Sequence, residues 1–96
     1  MAKVKLSPAA LRDIELIYNY ISIDSDVHAE KVKVKIFQRI FVLEEHPLIG
    51  KVVREFNNQS IRELIETPYR IIYKYNNEGE VSVVRIYHSS RLLKKL

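Results

Sequence analysis

Hydrophobic positions in the first half of the chain repeat at the spacing of an α-helix. From residue 8 to residue 23 they recur three and four positions apart, which places them on one stripe of a helix. Ser7 stands at the N-cap position and Pro8 at the first helical position, where its missing N–H loses no hydrogen bond. A similar stripe continues to residue 43 and ends before Pro47, because proline disfavours helical geometry in the preceding residue. The short break at residues 24–26 predicts an antiparallel helical hairpin.

Apolar and polar positions alternate in the rest of the chain, as they do in strands that bury one face. Residues 3–6 are predicted as a short edge or inserted strand, and residues 51–53 as a short strand or an extended arm. The main sheet is predicted from residues 61–65, 69–75 and 81–88, with Asn76-Asn77-Glu78-Gly79 as a hairpin connection. Strict alternation gives the last strand two faces: Val81, Val83, Arg85 and Tyr87 on one, and Ser82, Val84, Ile86 and His88 on the other.

The predicted order of elements is β-α-α-β-β-β. Two amphipathic helices side by side can cover one face of a sheet, so we expect an α+β fold with the helical hairpin packed on a mostly antiparallel, twisted sheet. The 96 residues are expected to form one domain over residues 1–96, since chains of this length seldom divide into two cores. A hydrophobic fraction of 47% suffices for such a core and argues against intrinsic disorder.

Composition narrows the possible sites and partners. The chain has no cysteine, and its three histidines lack ligand-like neighbours, so we expect no metal and no other cofactor. A net charge of +4 favours an acidic partner, either nucleic acid or an acidic polypeptide. We recognise no signal peptide and no membrane-spanning run, so a soluble, cytoplasmic protein with no membrane partner is predicted.

Short stretches along nearly the whole chain carry a family resemblance. They are LSPAA at 6–10, DI at 13–14, YNYI at 18–21, PLIG at 47–50, IREL at 61–64, YRIIY at 69–73 and VRIYHSSR at 84–91. In order and spacing they resemble the RelE/ParE superfamily of toxins from type II toxin–antitoxin systems, whose fold agrees with the predicted order of elements. The resemblance implies a cognate antitoxin protein and a hetero-oligomer with it.

The superfamily has two functional branches. Toxins like RelE are ribosome-dependent endoribonucleases that cut mRNA, and they need a base for the ribose 2′-OH and cations for the scissile phosphate. Toxins like ParE keep the fold and poison DNA gyrase. The longer helical hairpin and the His-Ser-Ser-Arg ending of this chain look like ParE.

The chain departs from the ribonuclease pattern at two places. Ile61 and Glu63 stand where that branch places lysines, and an acid there repels a phosphate. Lys94-Lys95-Leu96 stands where that branch often has a tyrosine. We therefore predict a ParE-like toxin that inhibits DNA gyrase by binding and is neutralised by its antitoxin. The alternatives are a RelE-like endoribonuclease acting on the ribosome and mRNA, and a degenerate, non-toxic member that only binds antitoxin.

Individual residues receive roles from this resemblance. If the chain is a ribonuclease, the candidate catalytic residues are Arg70, His88 and Arg91, and His88 would replace the lost base. The residues predicted to bind the target are Arg70, Arg91, Lys94 and Lys95. Three structural alternatives remain: a surface salt bridge of Arg70, for example with Glu63 on the neighbouring strand, a partly buried His88 that bonds a backbone carbonyl, and a frayed basic tail.

The first helix has apolar residues in excess of one stripe. Leu16 and Tyr20 widen its apolar face, which often marks a partner surface on a small protein. In the superfamily the antitoxin wraps the toxin along its helices and a sheet edge, so Leu16, Tyr20 and Arg85 are predicted to bind the antitoxin. The alternative for Leu16 and Tyr20 is a wider core under the helical hairpin.

Overall fold

The computed structural model describes residues 1–89. In chain order, the elements are β1 (Lys3–Leu6), α1 (Pro8–Ser22), α2 (Asp26–Phe41), a 3-10 turn (Val42–Glu44), β2 (Lys51–Val52), β3 (Ile61–Glu66), β4 (Tyr69–Tyr75) and β5 (Glu80–His88). The strands form one five-stranded sheet in the order β1-β5-β4-β3-β2. β1 runs parallel to β5, and the other neighbours are antiparallel. The predicted α+β fold is confirmed, and of the two alternatives for residues 51–53 the short strand is observed, as β2 at the edge of the sheet.

Local signals define both helices as predicted. The Ser7 hydroxyl accepts a hydrogen bond from the N–H of Ala10 at 3.0 Å, and Pro8 follows at the first helical position. The same hydroxyl donates to the carbonyl of Val84 on β5 at 2.8 Å, which ties the start of α1 to the sheet. The Ser25 hydroxyl caps α2 by accepting from the N–H of His28 at 3.1 Å. Within residues 1–89, neither helix combines the length and the hydropathy that a membrane crossing needs.

The sheet has a helical face and a distal face, and each buries its own cluster of side chains. The main core lies between α1, α2 and the helical face, and its sheet members are Leu64, Ile71, Tyr73, Val81, Val83 and Ile86. A smaller cluster of Val53, Ile72 and Tyr87 lies on the distal face. Alternation along β4 is confirmed, since its odd-numbered residues pack in the main core and Ile72 in the smaller cluster.

The prediction that side chains alternate strictly between the two faces along β5 is wrong after Val83. Tyr73 pairs with Val83 but Ile72 pairs with Arg85, so Val84 is an extra residue in a β-bulge. Because one inserted residue reverses the alternation, Ile86 enters the main core and Tyr87 enters the distal cluster, opposite to the prediction.

Tyr73 holds the connection that leads into β2. It is fully buried, and its hydroxyl accepts from the N–H of Gly50 at 3.0 Å and donates to the carbonyl of Pro47 at 2.7 Å. A Cβ at Gly50 would lie 2.7 Å from this ring and hydroxyl and from the carbonyl oxygen of Glu63. Only glycine fits there without displacing the sheet, which explains the glycine of the Pro47–Gly50 motif.

Replacing Tyr73 with phenylalanine should lower the free energy of unfolding by about 1–3 kcal/mol, because two buried backbone groups lose their partner while the ring remains. Chemical denaturation followed by circular dichroism measures the change. Tyr75→Phe is the matched control, since no hydrogen bond joins its hydroxyl to a described residue, and it should change stability far less. Equal losses for the two variants would contradict the role assigned to the Tyr73 hydroxyl.

Candidate functional site

Arg70 lies at the centre of a cleft on the distal face. Its side chain is only 10% exposed. Nε and Nη2 donate to the carboxylate of Glu63, at 2.7 and 3.1 Å. Nη1 and Nη2 donate to the carboxylate of Glu55, at 2.9 and 3.0 Å. Each carboxylate therefore takes a pair of charge-assisted hydrogen bonds from one guanidinium.

Strand pairing and a turn bring these groups together. Ile65 of β3 stands opposite Arg70 of β4, so Glu63 is the diagonal neighbour on the same face. Glu55 lies in the turn that follows β2. Its neighbours Val53 and Phe56 pack in the distal cluster, and this contact holds the turn over the sheet.

The three charged side chains of the cluster are largely shielded from water, so each depends on the others to compensate its charge. The Glu63 side chain is 4% exposed and that of Glu55 is 18% exposed. The hydrogen bonds to Glu55 and then to Glu63 raise the pKa of Arg70 above its already high value, although burial opposes the shift. The guanidinium stays protonated, and its charge is compensated inside the protein.

The cleft around this cluster has a volume of about 510 Å³. Its described lining consists of Lys51, Arg54, Glu55, Glu63, Ile65, Arg70 and Ser89. Lys51 and Arg54 are exposed at its rim. None of the lining residues within 1–89 is a histidine or a tyrosine.

The structural alternative for Arg70 is confirmed in its partner, Glu63, but its position at the surface is wrong, since both side chains are buried. Its role in target binding stays a prediction. Sequence reasoning missed Glu55, which belongs to a polar connection with no periodic pattern, so no local signal linked it to Arg70.

His88 does not join Arg70. It stands directly opposite Tyr69 at the end of the sheet, and the two rings meet edge to face with centroids 6.0 Å apart. Tyr69 packs against the main core, so His88 lies on the helical face and Arg70 on the distal face. His88 is exposed, and not partly buried as its structural alternative required.

Asp13 of α1 covers the edge of β5 beyond the end of β1. Its carboxylate accepts from Nε and Nη2 of Arg85 at 2.8 and 3.1 Å, and from the backbone N–H of Ile86 at 2.9 Å. The hydrogen bond with Asp13 raises the pKa of Arg85. Asp13 had no role in the sequence analysis, since only the paired fold shows that it meets the strand edge.

Leu16 and Tyr20 lie along the same side of α1 as Asp13, three and seven residues after it. They are 63% and 77% exposed, so the alternative of a wider core is wrong. Burial raises the pKa of Tyr69, and the electrostatic interaction with Tyr20 adds to that shift. We call Leu16, Tyr20 and Arg85 the α1 flank. The structure brings together all three residues that were predicted to bind an antitoxin, and that role stays a prediction.

Three predicted residues, Arg91, Lys94 and Lys95, lie outside the described residues. Their roles in target binding, and that of Arg91 in catalysis, stay predictions.

Comparison with known proteins identifies the family. Residues 4–93 match the family described as "ParE toxin of type II toxin-antitoxin system, parDE". The chain belongs to this ParE toxin family. Toxin RelE2 of Caulobacter vibrioides (strain ATCC 19089 / CIP 103742 / CB 15) is 32% identical over 92 residues, which are 96% of this chain and 100% of that protein. The resemblance to the RelE/ParE superfamily is confirmed, and the chain is a toxin of a type II toxin–antitoxin system.

Two solved structures share the fold of this toxin. One is described as the chromosomal ParDE TA system from P. aeruginosa, with a TM-score of 0.74, 22% identity, and coverage of 92% of this chain and 96% of that one. The other is the toxin–antitoxin complex RelBE2 from Mycobacterium tuberculosis, with a TM-score of 0.65, 21% identity, and coverage of 91% and 96%. At these identities the likeness establishes the fold alone.

Replacing Arg70 with alanine should lower the free energy of unfolding by about 3–5 kcal/mol, because it leaves buried carboxylates without a counter-charge. Denaturation followed by circular dichroism measures the loss. The double variant Arg70→Ala/Glu63→Gln should recover part of it, since one uncompensated charge is removed. Arg12→Ala, at an exposed position of α1, is the control. A loss below about 1 kcal/mol for Arg70→Ala would show that the cluster behaves like a solvent-exposed ion pair.

Proposed function

We propose that this toxin acts by binding DNA gyrase, that it does not cleave RNA, and that a cognate antitoxin neutralises it. The observation that carries the proposal is the pairing of Arg70 with both Glu55 and Glu63. This arginine is the candidate catalytic cation that the resemblance places in the sheet.

Cleavage at a ribose 2′-OH needs cations that become available to the phosphate as its charge develops. The Arg70 guanidinium instead donates its hydrogen bonds to the carboxylates of Glu63 and Glu55, and its side chain is nearly buried. One guanidinium and two carboxylates give the cluster a formal charge of −1, which repels a phosphate at short range. Lys51 and Arg54 are exposed and bring the formal charge of the described lining to +1, so the negative charge is confined to the buried cluster around Arg70.

The position of His88 also favours binding over catalysis. A general base must reach the proton that it removes, within hydrogen-bond distance or through one water. His88 lies on the helical face, across the sheet from the Arg70 cleft. The described part of the cleft offers no other histidine and no tyrosine.

Gyrase as the target is supported by the match to the ParE toxin family over residues 4–93. The net charge of +4 suits an acidic surface on a partner. Ribosome-dependent cleavage of mRNA is the second candidate, because the relative at 32% identity is named Toxin RelE2.

The purified toxin should inhibit supercoiling by DNA gyrase and leave ribosome-bound mRNA intact. A supercoiling assay and primer extension on translated mRNA, run with the same preparation, measure the two activities. Cleavage of mRNA without gyrase inhibition would overturn the proposal and favour the ribonuclease.

His88→Ala tests the second candidate without disturbing the ion cluster. If mRNA is cut and this variant abolishes cutting at unchanged stability, His88 is catalytic. Arg70→Ala is unsuitable here because its effect on folding would be mistaken for an effect on chemistry. A chain that is harmless when produced alone, yet binds its antitoxin, would favour the degenerate member.

The α1 flank is the proposed antitoxin surface. It joins two exposed apolar side chains, Leu16 and Tyr20, to the ion pair of Arg85 with Asp13 at the edge of β5. The two solved structures compared above are described as a toxin–antitoxin system and a toxin–antitoxin complex, which supports such a partner. A segment that folds on binding would bury the apolar side chains and lie along the strand edge.

Leu16→Asp and Tyr20→Asp should each weaken binding of the small protein encoded beside the toxin by at least about tenfold, because burying an unpaired carboxylate in the interface is unfavourable. Co-purification and isothermal titration measure the effect. Leu11→Asp is the matched control: it is also an exposed leucine of α1, 51% exposed, but on another side of the helix. Unchanged affinity for both flank variants would move the antitoxin to a different surface.

A further inference from the structure

The distal face of the sheet carries exposed lysines at the end of β4 away from the Arg70 cleft. Lys5 of β1 and Lys74 of β4 both pair with Ser82 of β5, so the three residues form one row across the sheet. The alternate residues of these strands pack in the main core, which places the row on the distal face. Lys3 lies on the same side of β1, two residues before Lys5. We call Lys3, Lys5 and Lys74 the distal lysines.

The distal lysines are not neutralised by the described part of the chain. All three are exposed, and none forms an ion pair within residues 1–89. The acid nearest to them along the paired strands is Glu80, which stands opposite Lys3 and accepts a hydrogen bond from the amide of Asn76 at 2.9 Å. The row of Lys5 and Lys74 continues on β3 with Ile61, so it contains no acid.

The positive charge of the described chain is concentrated on this face. Lys51 and Arg54 add two exposed cations at the opposite edge of the sheet. With Glu80, the Arg70 cluster at −1 and the neutral pair of Arg85 with its carboxylate included, the face has a surplus of three positive charges. Among the other residues of 1–89, acids outnumber lysines and arginines by eight to six. The field of the protein therefore directs an acidic partner to the distal face.

The exposed groups of the distal face suit phosphates better than bases. Tyr87 is 6% exposed, and the guanidinium of Arg85 lies 4.7 Å from the centre of its ring. Phe56 packs against the distal cluster. Single strands are usually bound by stacking their bases on exposed aromatic rings, and the described part of this face offers none. Lysine binds a phosphate as a point charge and reads no base sequence.

We propose that the distal lysines bind the phosphate backbone of double-stranded DNA. Their backbones are spaced by about 7 Å along β1 and about 10 Å across the sheet. A duplex carries one phosphate per about 1.7 Å of its axis, so each lysine has a phosphate within reach. The choice of DNA over an RNA duplex rests on the proposed function, because a toxin bound to gyrase lies beside the DNA on which that enzyme acts.

The test measures binding of the full-length toxin to a labelled duplex of about 20 base pairs, without gyrase, by fluorescence anisotropy over a range of salt concentrations. The slope of log affinity against log salt reports the number of phosphates contacted, at about 0.9 for each. Lys5→Gln/Lys74→Gln should reduce the magnitude of the slope by about 1.8 and weaken binding by at least about tenfold at about 0.1 M salt.

Lys31→Gln/Lys35→Gln is the matched control, since it changes the net charge equally at exposed positions of α2. It should leave the slope unchanged and the affinity within about twofold. Circular dichroism spectra and melting curves check that both variants are folded. Equal changes of slope for the two variants would overturn the proposal, because net charge and not the distal face would then control binding.

Two further probes test the kind of nucleic acid. The single strand and the RNA duplex of the same sequence should each bind more weakly than the DNA duplex, and tighter binding of either would overturn the proposal. The result is distinct from the gyrase assay. A toxin that binds DNA through the distal lysines without inhibiting supercoiling contradicts the proposed function alone, whereas one that inhibits supercoiling and binds no DNA contradicts this inference alone.

Discussion

The guanidinium of Arg70 holds the segments of the distal face together through its ion pairs with Glu55 and Glu63. It joins three consecutive segments of the chain: the turn after β2 through Glu55, β3 through Glu63, and β4 itself. A buried ion pair contributes little net stability compared with a well-packed apolar substitute, but loss of one partner is costly. Any movement of the turn would separate Glu55 from Arg70 and leave nearly buried charges without a partner, so the cluster holds the turn in place. The same contacts occupy the N–H groups of the Arg70 guanidinium, so these groups are not available to bind a substrate.

The residue at position 63 determines both the contacts of Arg70 and the charge of the cleft. A lysine at position 63 would leave Arg70 without its shortest ionic contact and would add a fourth cation to the described lining of the cleft, beside Lys51, Arg54 and Arg70. Glutamate at this position instead gives Arg70 a buried partner and, together with Glu55, leaves the cluster with a formal charge of −1. On the proposed function, recognition then falls to surfaces at the periphery of the sheet, such as the α1 flank.

The sequence predicts most of the fold because its signals are local. Ser7-Pro8 starts α1, Ser25 caps α2, and Asn76 to Gly79 forms the hairpin, each through contacts within a few residues. The pair of Arg70 with Glu63 was also foreseeable, since the strands that carry them are consecutive. Glu55 and Asp13 were not foreseeable, because each meets its partner only after the connection and the helix are packed on the sheet. No periodicity in the sequence encodes either contact.

The bulge at Val84 inserts one residue into β5 and so decides on which face of the sheet each later side chain of the strand lies. Without it, strict alternation would place Tyr87 with the main core and Ile86 on the other face. With it, Ile86 packs in the core, its N–H meets Asp13, and Arg85 reaches the same carboxylate. The reversal also sets His88 against Tyr69 on the helical face, away from Arg70. The end of β5 therefore places Arg85 beside α1, and the described lining of the cleft receives from this end of the strand the following residue, Ser89.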